Sequence, residues 1–372
     1  MNAVGIVFSN IHDLYVSELT RNRTMASVPF GCRYRLVDFV LSNMVNSDIT
    51  KVGIITKYNY QSLMDHVASG KDWDLSRKNG GIILLPPYGG ADSKTLYKSR
   101  LEALKGIMGF VERCDEEYVV LTDSDKIINI NYADVVAFAE KGGADLTVVY
   151  KRTEVSTDTS QLSILYEVDE NHRVTGVARF PHCEGEKNVC QNIFVLKRDL
   201  LVSLVTDAIA HGYESFHRDV IERNCGSMKI LAYRFSGYSA TIDSLTNYFK
   251  INMEMLDKSK RDAVFFGEAG PVYTKVRDSA PTRYASGSKV KNSLIADGCV
   301  IEGLVENSLI FRGVKVGKGC KVRNSILMQD TVLGENVVLD YVVSDKNVYI
   351  SDRRVLAGCE KLPYFIAKGM RV

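Results

Sequence analysis

Ile310-Phe311-Arg312-Gly313-Val314-Lys315-Val316-Gly317-Lys318-Gly319-Cys320-Lys321-Val322-Arg323-Asn324-Ser325-Ile326-Leu327-Met328, running on through Val332 and Leu333 to Val338, repeats an apolar residue at every sixth position. Val314, Cys320, Ile326, Val332 and Val338 form one row, and Ile310, Val316, Val322 and Met328 form another. Gly298, Gly313, Gly317, Gly319 and Gly334 fall at the turns between them. This period is neither that of an amphipathic helix nor the alternation of a half-buried strand. It fits a left-handed parallel β-helix, in which each coil has three short faces and stacks one apolar row inward. A hexapeptide-repeat β-helix domain is therefore expected over residues 286–372.

Upstream the pattern is different. Residues 4–8, 51–56, 82–85, 118–121 and 146–150 are rich in Val, Ile and Leu and read as buried strands. Residues 34–46, 61–68, 96–110 and 133–139 carry helical spacing between them. Such alternation implies α/β architecture, a Rossmann-like, mostly parallel sheet covered by helices. Residues 233–238 and 246–256 read as the last strand and helix. Residues 257–285, with Pro271 and Pro281, show no period and are expected to connect the domain 1–256 to the coil. Two domains also suit a chain of 372 residues, too long for one ordinary core.

Composition narrows the function classes. Hydrophobic residues at 45% and charged residues at 25% are ordinary globular values, and a formal net charge of +2 gives no basic excess for nucleic acid. No apolar run is long enough to span a membrane, and residues 1–9 lack a basic n-region and a cleavage site, so a cytoplasmic location is expected. The eight cysteines, at positions 32, 114, 183, 190, 225, 299, 320 and 359, form no C-x-x-C pair and read as reduced, mostly buried thiols. Every histidine lies at or before His217, so the coil lacks the general base that an acyltransferase of this repeat class would need.

Several stretches are specific enough to carry a family resemblance. They are Leu19-Thr20, then Val28-Pro29-Phe30-Gly31-Cys32-Arg33-Tyr34-Arg35-Leu36-Val37-Asp38-Phe39, then Trp73-Asp74-Leu75-Ser76-Arg77-Lys78-Asn79-Gly80-Gly81 followed by Leu85-Pro86-Pro87-Tyr88, and Tyr118-Val119-Val120-Leu121-Thr122-Asp123-Ser124-Asp125. Together they resemble glucose-1-phosphate adenylyltransferase, also called ADP-glucose pyrophosphorylase, over nearly the whole chain. The resemblance implies a nucleotidyltransferase domain that uses Mg2+ and ATP. Arg23 and Arg35 match positions that bind the phosphates of a sugar-phosphate effector, and the loop bearing Trp73, Arg77 and Asn79 matches one that links the nucleotide site to activator response.

The departures cluster where chemistry should be. In the family a Gly-Gly-x-Gly-x-Arg-Leu turn follows the first strand. Counted back without gaps from Val28, its glycines fall on Asn10, Ile11 and Asp13 and its arginine on Tyr15. A triphosphate needs close, successive backbone N–H groups, often at positive φ, which glycine supplies without steric cost. Ile11 is β-branched and tolerates that conformation badly, and Asp13 is expected to set a carboxylate where phosphates would sit. The lysine before the family's Pro-Ala-Val segment falls on Met25. Its Gly-Thr-Ala-Asp-Ala stretch becomes Ser99-Arg100-Leu101-Glu102-Ala103, and its Glu-Lys-Pro becomes Arg179-Phe180-Pro181.

The metal ligands follow the same trend. Through Asn131-Tyr132, the first magnesium-binding aspartate matches Asp125, with Asp123 the other candidate. The second falls on Thr241 within Ser239-Ala240-Thr241-Ile242-Asp243-Ser244, leaving Asp243 as a possible substitute. Intact repeats beside lost contacts resemble the non-catalytic, GlgD-type subunit of the family. That resemblance implies assembly with a catalytic subunit, as a heterotetramer, and regulation of its turnover or effector response in glycogen biosynthesis. Two alternatives remain open: a weakly active adenylyltransferase using Asp125 and Asp243, and a sugar-phosphate or nucleotide sensor without turnover.

Overall fold

The computed structural model describes residues 1–87, 96–156, 163–179 and 182–372. Tyr88, Phe180 and Pro181 of the motifs above lie outside the described residues. Strand β1 (Ala3–Phe8) is buried at every position and forms the middle of a nine-stranded sheet. Helix α1 (Leu36–Asn46), β2 (Lys51–Ile55), α2 (Gln61–Val67) and β3 (Gly81–Leu85) follow, with β2 parallel to both β1 and β3. Next come α3 (Arg100–Gly106), β4 (Tyr118–Asp123) and α4 (Tyr132–Gly142), with β4 parallel to β1 on its other side. Beyond β4 the sheet changes sense. The long strand β8 (Gly185–Lys197) runs antiparallel to β4 and to β5 (Leu146–Val155), and also joins the hairpin of β6 (Ile164–Val168) and β7 (Val174–Arg179).

Local chemistry moves several boundaries. The helix expected from residue 34 starts at Leu36, because Arg35 is extended and its N–H is taken by the Asp38 carboxylate at 3.0 Å. Residues 96–110 are not one helix: α3 ends at Gly106 and a short turn of helix resumes at Met108–Val111. The strand expected at 233–238 is instead β9 (Ile230–Arg234), whose Ile230, Leu231 and Ala232 pair in register with Leu146, Thr147 and Val148. Residues 239–241 then pair with 126–128 in a separate two-stranded ribbon, which carries Thr241 to the mouth of the cleft. Residues 257–285 include a helix at Lys258–Phe265, capped by Asp257, whose carboxylate accepts from the N–H groups of Ser259 and Lys260.

The C-terminal domain is a left-handed parallel β-helix made of three five-stranded parallel sheets. Its strand partners lie mostly 17 residues apart, as in Lys315↔Val332 and Val332↔Tyr349, and 15 apart at Val300↔Lys315. A full turn of 17 is one short of three hexads, so the inward phase slips. The first row holds through Ile326 but then passes to Thr331 and Val337, which are buried, and the second passes from Val316 and Val322 to their partners Leu333 and Leu339, while Val332 and Val338 are only half-buried. Corners are set by residues at positive φ, among them Asn292, Asn307 and Asn324, and the Asn292 amide donates to Asn307 Oδ1 at 2.8 Å. Gly317 is required for another reason: a methyl there would run into the Gly334 carbonyl one turn on.

The domains share a core. Phe30, Phe39, Tyr248 and Phe265 of the sheet domain pack with Leu309, Phe311, Ile326, Met328 and Val343 of the coil. Within this junction Arg23, 2% exposed, donates from Nη2 to both oxygens of Asp345 at 2.7 and 2.8 Å. Among the described residues no helix is long and apolar enough to cross a membrane. Five of the eight thiols are buried, at Cys32, Cys114, Cys190, Cys299 and Cys320.

Candidate functional site

A cleft of about 420 Å³ opens at the carboxyl ends of β1 and β4, where open α/β sheets place ligands. The segment after β1 borders it but does not form a phosphate cradle. The amide of Tyr15 donates to the His12 carbonyl at 3.1 Å and that of Asp13 to the Asn10 carbonyl at 3.5 Å, closing a 3₁₀ turn over Asp13–Val16. Ile11 is not at positive φ, and Tyr15 stacks on His12 with ring centroids 5.5 Å apart. The amides of Asp13 and Tyr15 are thus consumed inside the turn.

Asp13 corrects an expectation. Its carboxylate faces inward rather than into the cleft: Oδ1 accepts from the Met25 N–H at 2.8 Å and Oδ2 from the Asn10 amide at 2.5 Å. Burial pushes its pKa up to about 6, against the pull of those hydrogen bonds. Met25, 1% exposed, is a core residue.

The cleft floor carries the titratable groups. His12 Nε2 lies 2.6 Å from Asp123 Oδ2 and 3.6 Å from Asp125 Oδ2, and the three residues form one cluster. Arg100, first residue of α3, closes on both oxygens of Asp123, with Nε donating to Oδ1 at 3.1 Å and Nη2 to Oδ2. Burial would push the Asp123 carboxyl up, but Arg100 and His12 outweigh it and hold it well below its ordinary range. Burial likewise opposes charge on His12, and Asp125 and Asp123 outweigh it, so its pKa is raised. Asp125 Oδ1 is buried and has no hydrogen-bond partner.

Whether these residues suit a magnesium ion turns on Thr241. The Lys126 ammonium donates to its hydroxyl at 2.7 Å, so a fixed cation already stands at the second ligand position. Asp243 faces the cleft, but its Oδ1 accepts from the Asn247 amide at 3.0 Å and the Ser244 hydroxyl at 3.1 Å. His12, Asp123 and Asp125 each bring a potential ligand atom within 4.8 Å of the others, but Asp123 is taken up by Arg100 and His12, and the Lys126 ammonium stands where the second carboxylate would close an octahedral Mg2+ site. The donor set does not fit the ion.

Behind the floor, Tyr166 Oη lies 3.1 Å from Cys190 Sγ and 3.4 Å from His217 Nδ1. His217 Nε2 is buried without a partner, and burial, then Arg100, hold its pKa well below the ordinary histidine value.

The effector-matching arginines sit elsewhere, at the domain junction. Arg23 is committed to Asp345, while Arg35 donates from Nη1 to the Ser62 carbonyl and hydroxyl at 2.5 and 3.0 Å and lines a cavity of about 30 Å³. Arg33, Lys275, Arg277, Arg312 and Lys346 line it too. Burial, then Arg35, Arg23 and Arg277, push the Lys346 pKa down to about 6. Trp73 is 1% exposed and meets His66 edge-on at 5.7 Å, and His66 Nε2 lies 2.6 Å from Asp38 Oδ1. Arg77 and Asn79 are exposed, Arg77 bonded to Asp74.

Sequence reading missed His12, Lys126, His217, Lys346 and Asp345. Only the partner of Lys126, Thr241, left a trace, in the loss of the second aspartate.

Comparison with known proteins gives the family. A nucleotidyl transferase family model matches residues 16–258, and a GlmU-like C-terminal hexapeptide model matches residues 279–361. Glycogen biosynthesis protein GlgD of Bacillus subtilis (strain 168) is 34% identical over 99% of this chain and 96% of its own length. The protein of that name from Geobacillus stearothermophilus is 36% identical over 86% of this chain and 82% of its own. Glucose-1-phosphate adenylyltransferase of Fervidobacterium nodosum is 29% identical over 94% and 84%. With matches that span both domains, the chain belongs to the nucleotidyl transferase family, in the group that holds glycogen biosynthesis protein GlgD and glucose-1-phosphate adenylyltransferase.

Proposed function

We propose that this chain is a modulatory subunit in glycogen biosynthesis: it assembles with a catalytic glucose-1-phosphate adenylyltransferase chain, as a heterotetramer, and raises that chain's turnover or tunes its effector response. The observation that carries the reading is the self-closed turn over Asp13–Val16, which engages the amides of Asp13 and Tyr15 that a phosphate cradle would turn toward its ligand. A subunit of this kind acts by binding the partner's competent state more tightly than its resting state. Co-expression with a catalytic chain from the same source tests it. The expected result is co-purification at a fixed ratio, with ADP-glucose formation raised or shifted in effector response relative to the catalytic chain alone. Separate elution and unchanged kinetics would count against it.

The effector belongs, in this reading, at the junction cavity. A cluster of Arg35, Arg277 and Lys346, beside Arg312 paired with Asp297 at 3.0 Å, suits a phosphate group, and His66 joins it to Trp73. The cluster has a stability signature. Because Lys346 has a folded pKa of about 6 against 10.5 as the ordinary value, the unfolded chain binds more protons between those limits. Stability therefore rises as pH climbs through that window, and the full penalty applies below its lower limit. Lys346→Met is expected to stabilise the chain by about 2–3 kcal/mol at neutral pH and to flatten the profile, read by thermal denaturation across that pH range.

A further inference from the structure

We infer that the cleft has exchanged its divalent metal for the fixed ammonium of Lys126 and binds a sugar phosphate without metal. The inference rests on the family fold but not on any partner chain. Lys126 is 5% exposed, and the hydroxyl of Thr241 is its hydrogen-bond acceptor. Among the described residues no carboxylate lies within ion-pair distance of it. A buried ammonium held only by a hydroxyl keeps most of its field for a ligand. Of the other cations lining the cleft, Arg100 and His12 are on Asp123, Arg218 at the rim is on Asp219, and Lys98 is exposed to solvent.

Two further atoms define what a ligand must bring. Asp125 Oδ1 and His217 Nε2 are both buried, both without partners, and their residues line the same cleft as Lys126. Buried polar atoms left orphaned mark a site whose partners come from outside. An acidic oxygen wants a hydroxyl donor, a ring nitrogen wants a hydroxyl, and the ammonium wants an anion. A phosphate ester of a polyol supplies all three. In such a site a metal would be redundant, and it would have to share space with Lys126.

The test uses the full chain and two probes, glucose 1-phosphate and ADP-glucose. Thermal denaturation and calorimetric titration are run in EDTA and again in excess Mg2+. At least one probe is expected to raise the melting temperature, with a Kd that differs by less than about twofold between the two conditions. Lys126→Met is expected to weaken binding at least about tenfold, the loss typical of one charge-assisted hydrogen bond. If that variant does not fold, Thr241→Val, which frees the ammonium, replaces it in the comparison. Manganese resonance spectra of the wild type should show only the free ion, whereas the double variant Lys126→His, Thr241→Asp should gain a bound one. Binding that needs Mg2+, stoichiometric Mn2+ on the wild type, no shift with either probe, or a folded double variant without Mn2+ would each overturn the inference. Turnover by the isolated chain would instead refute the modulatory reading, so the two failures are separable.

Discussion

Arg23→Ala is expected to lower the melting temperature by about 4–6 °C, which corresponds to about 3–5 kcal/mol for breaking a buried ion pair in a chain of this size. The pair joins the two domains through one guanidinium nitrogen that donates to both oxygens of Asp345, each side chain less than 5% exposed. Removing Arg23 leaves a buried carboxylate whose remaining donor at the junction is the Lys346 N–H at 2.7 Å. Arg23 Nη1 is itself buried without a partner, so the pair is not ideally satisfied even when intact. The double variant Arg23→Met, Asp345→Leu is therefore expected to be more stable than either single one, because it leaves no lone charge. Melting curves of the three variants decide this. A fall of less than about 1 kcal/mol in Arg23→Ala would place the pair among ordinary surface bridges.

Supplied with ATP, glucose 1-phosphate and magnesium, the isolated chain is expected to form ADP-glucose at least about 10⁴-fold more slowly than a catalytic chain. Loss of a single preorganised contact costs about 10²–10³ in turnover, and here the amide cradle and the second metal carboxylate are both gone. The direction does not depend on adding the losses, since contacts that act as a unit fail together. Pyrophosphate release by the purified chain, beside the catalytic chain on its own, is the measurement. A rate within a hundredfold of the catalytic chain would mean that the turn over Asp13–Val16 opens to admit nucleotide.

Both domains were legible because their signals are local and periodic. Buried strands such as β1 and β2 announce themselves as unbroken Val and Ile runs, and the coil by its sixfold rows. What failed was phase and direction. The row that ends on Val332 and Val338 in the sequence ends on Thr331 and Val337 in space, since a one-residue deficit per turn is invisible to a strict period. Asp13 was read as an obstacle in the cleft, whereas the Asn10 amide and Met25 N–H draw it inward. The site was harder still. His12 and Asp123 are 111 residues apart, and Lys126 and Thr241 are 115 apart. No spacing rule joins such residues, and a lone lysine in a sequence does not say whether its partner is a carboxylate or a hydroxyl.

The 17-residue register of the coil limits how its length is able to change during evolution. Each strand finds its partner one whole circuit later, and Ser308, Ser325 and Val342 hand hydrogen bonds up one edge in the same step, after a first step of 15 from Ser293. Loss of one residue between Lys315 and Val338 would turn every later side chain by one position and empty three ladders at once. Gain or loss of an entire circuit would preserve them all. Natural insertions and deletions in this domain should therefore be quantised, arriving as complete circuits or confined to the corners.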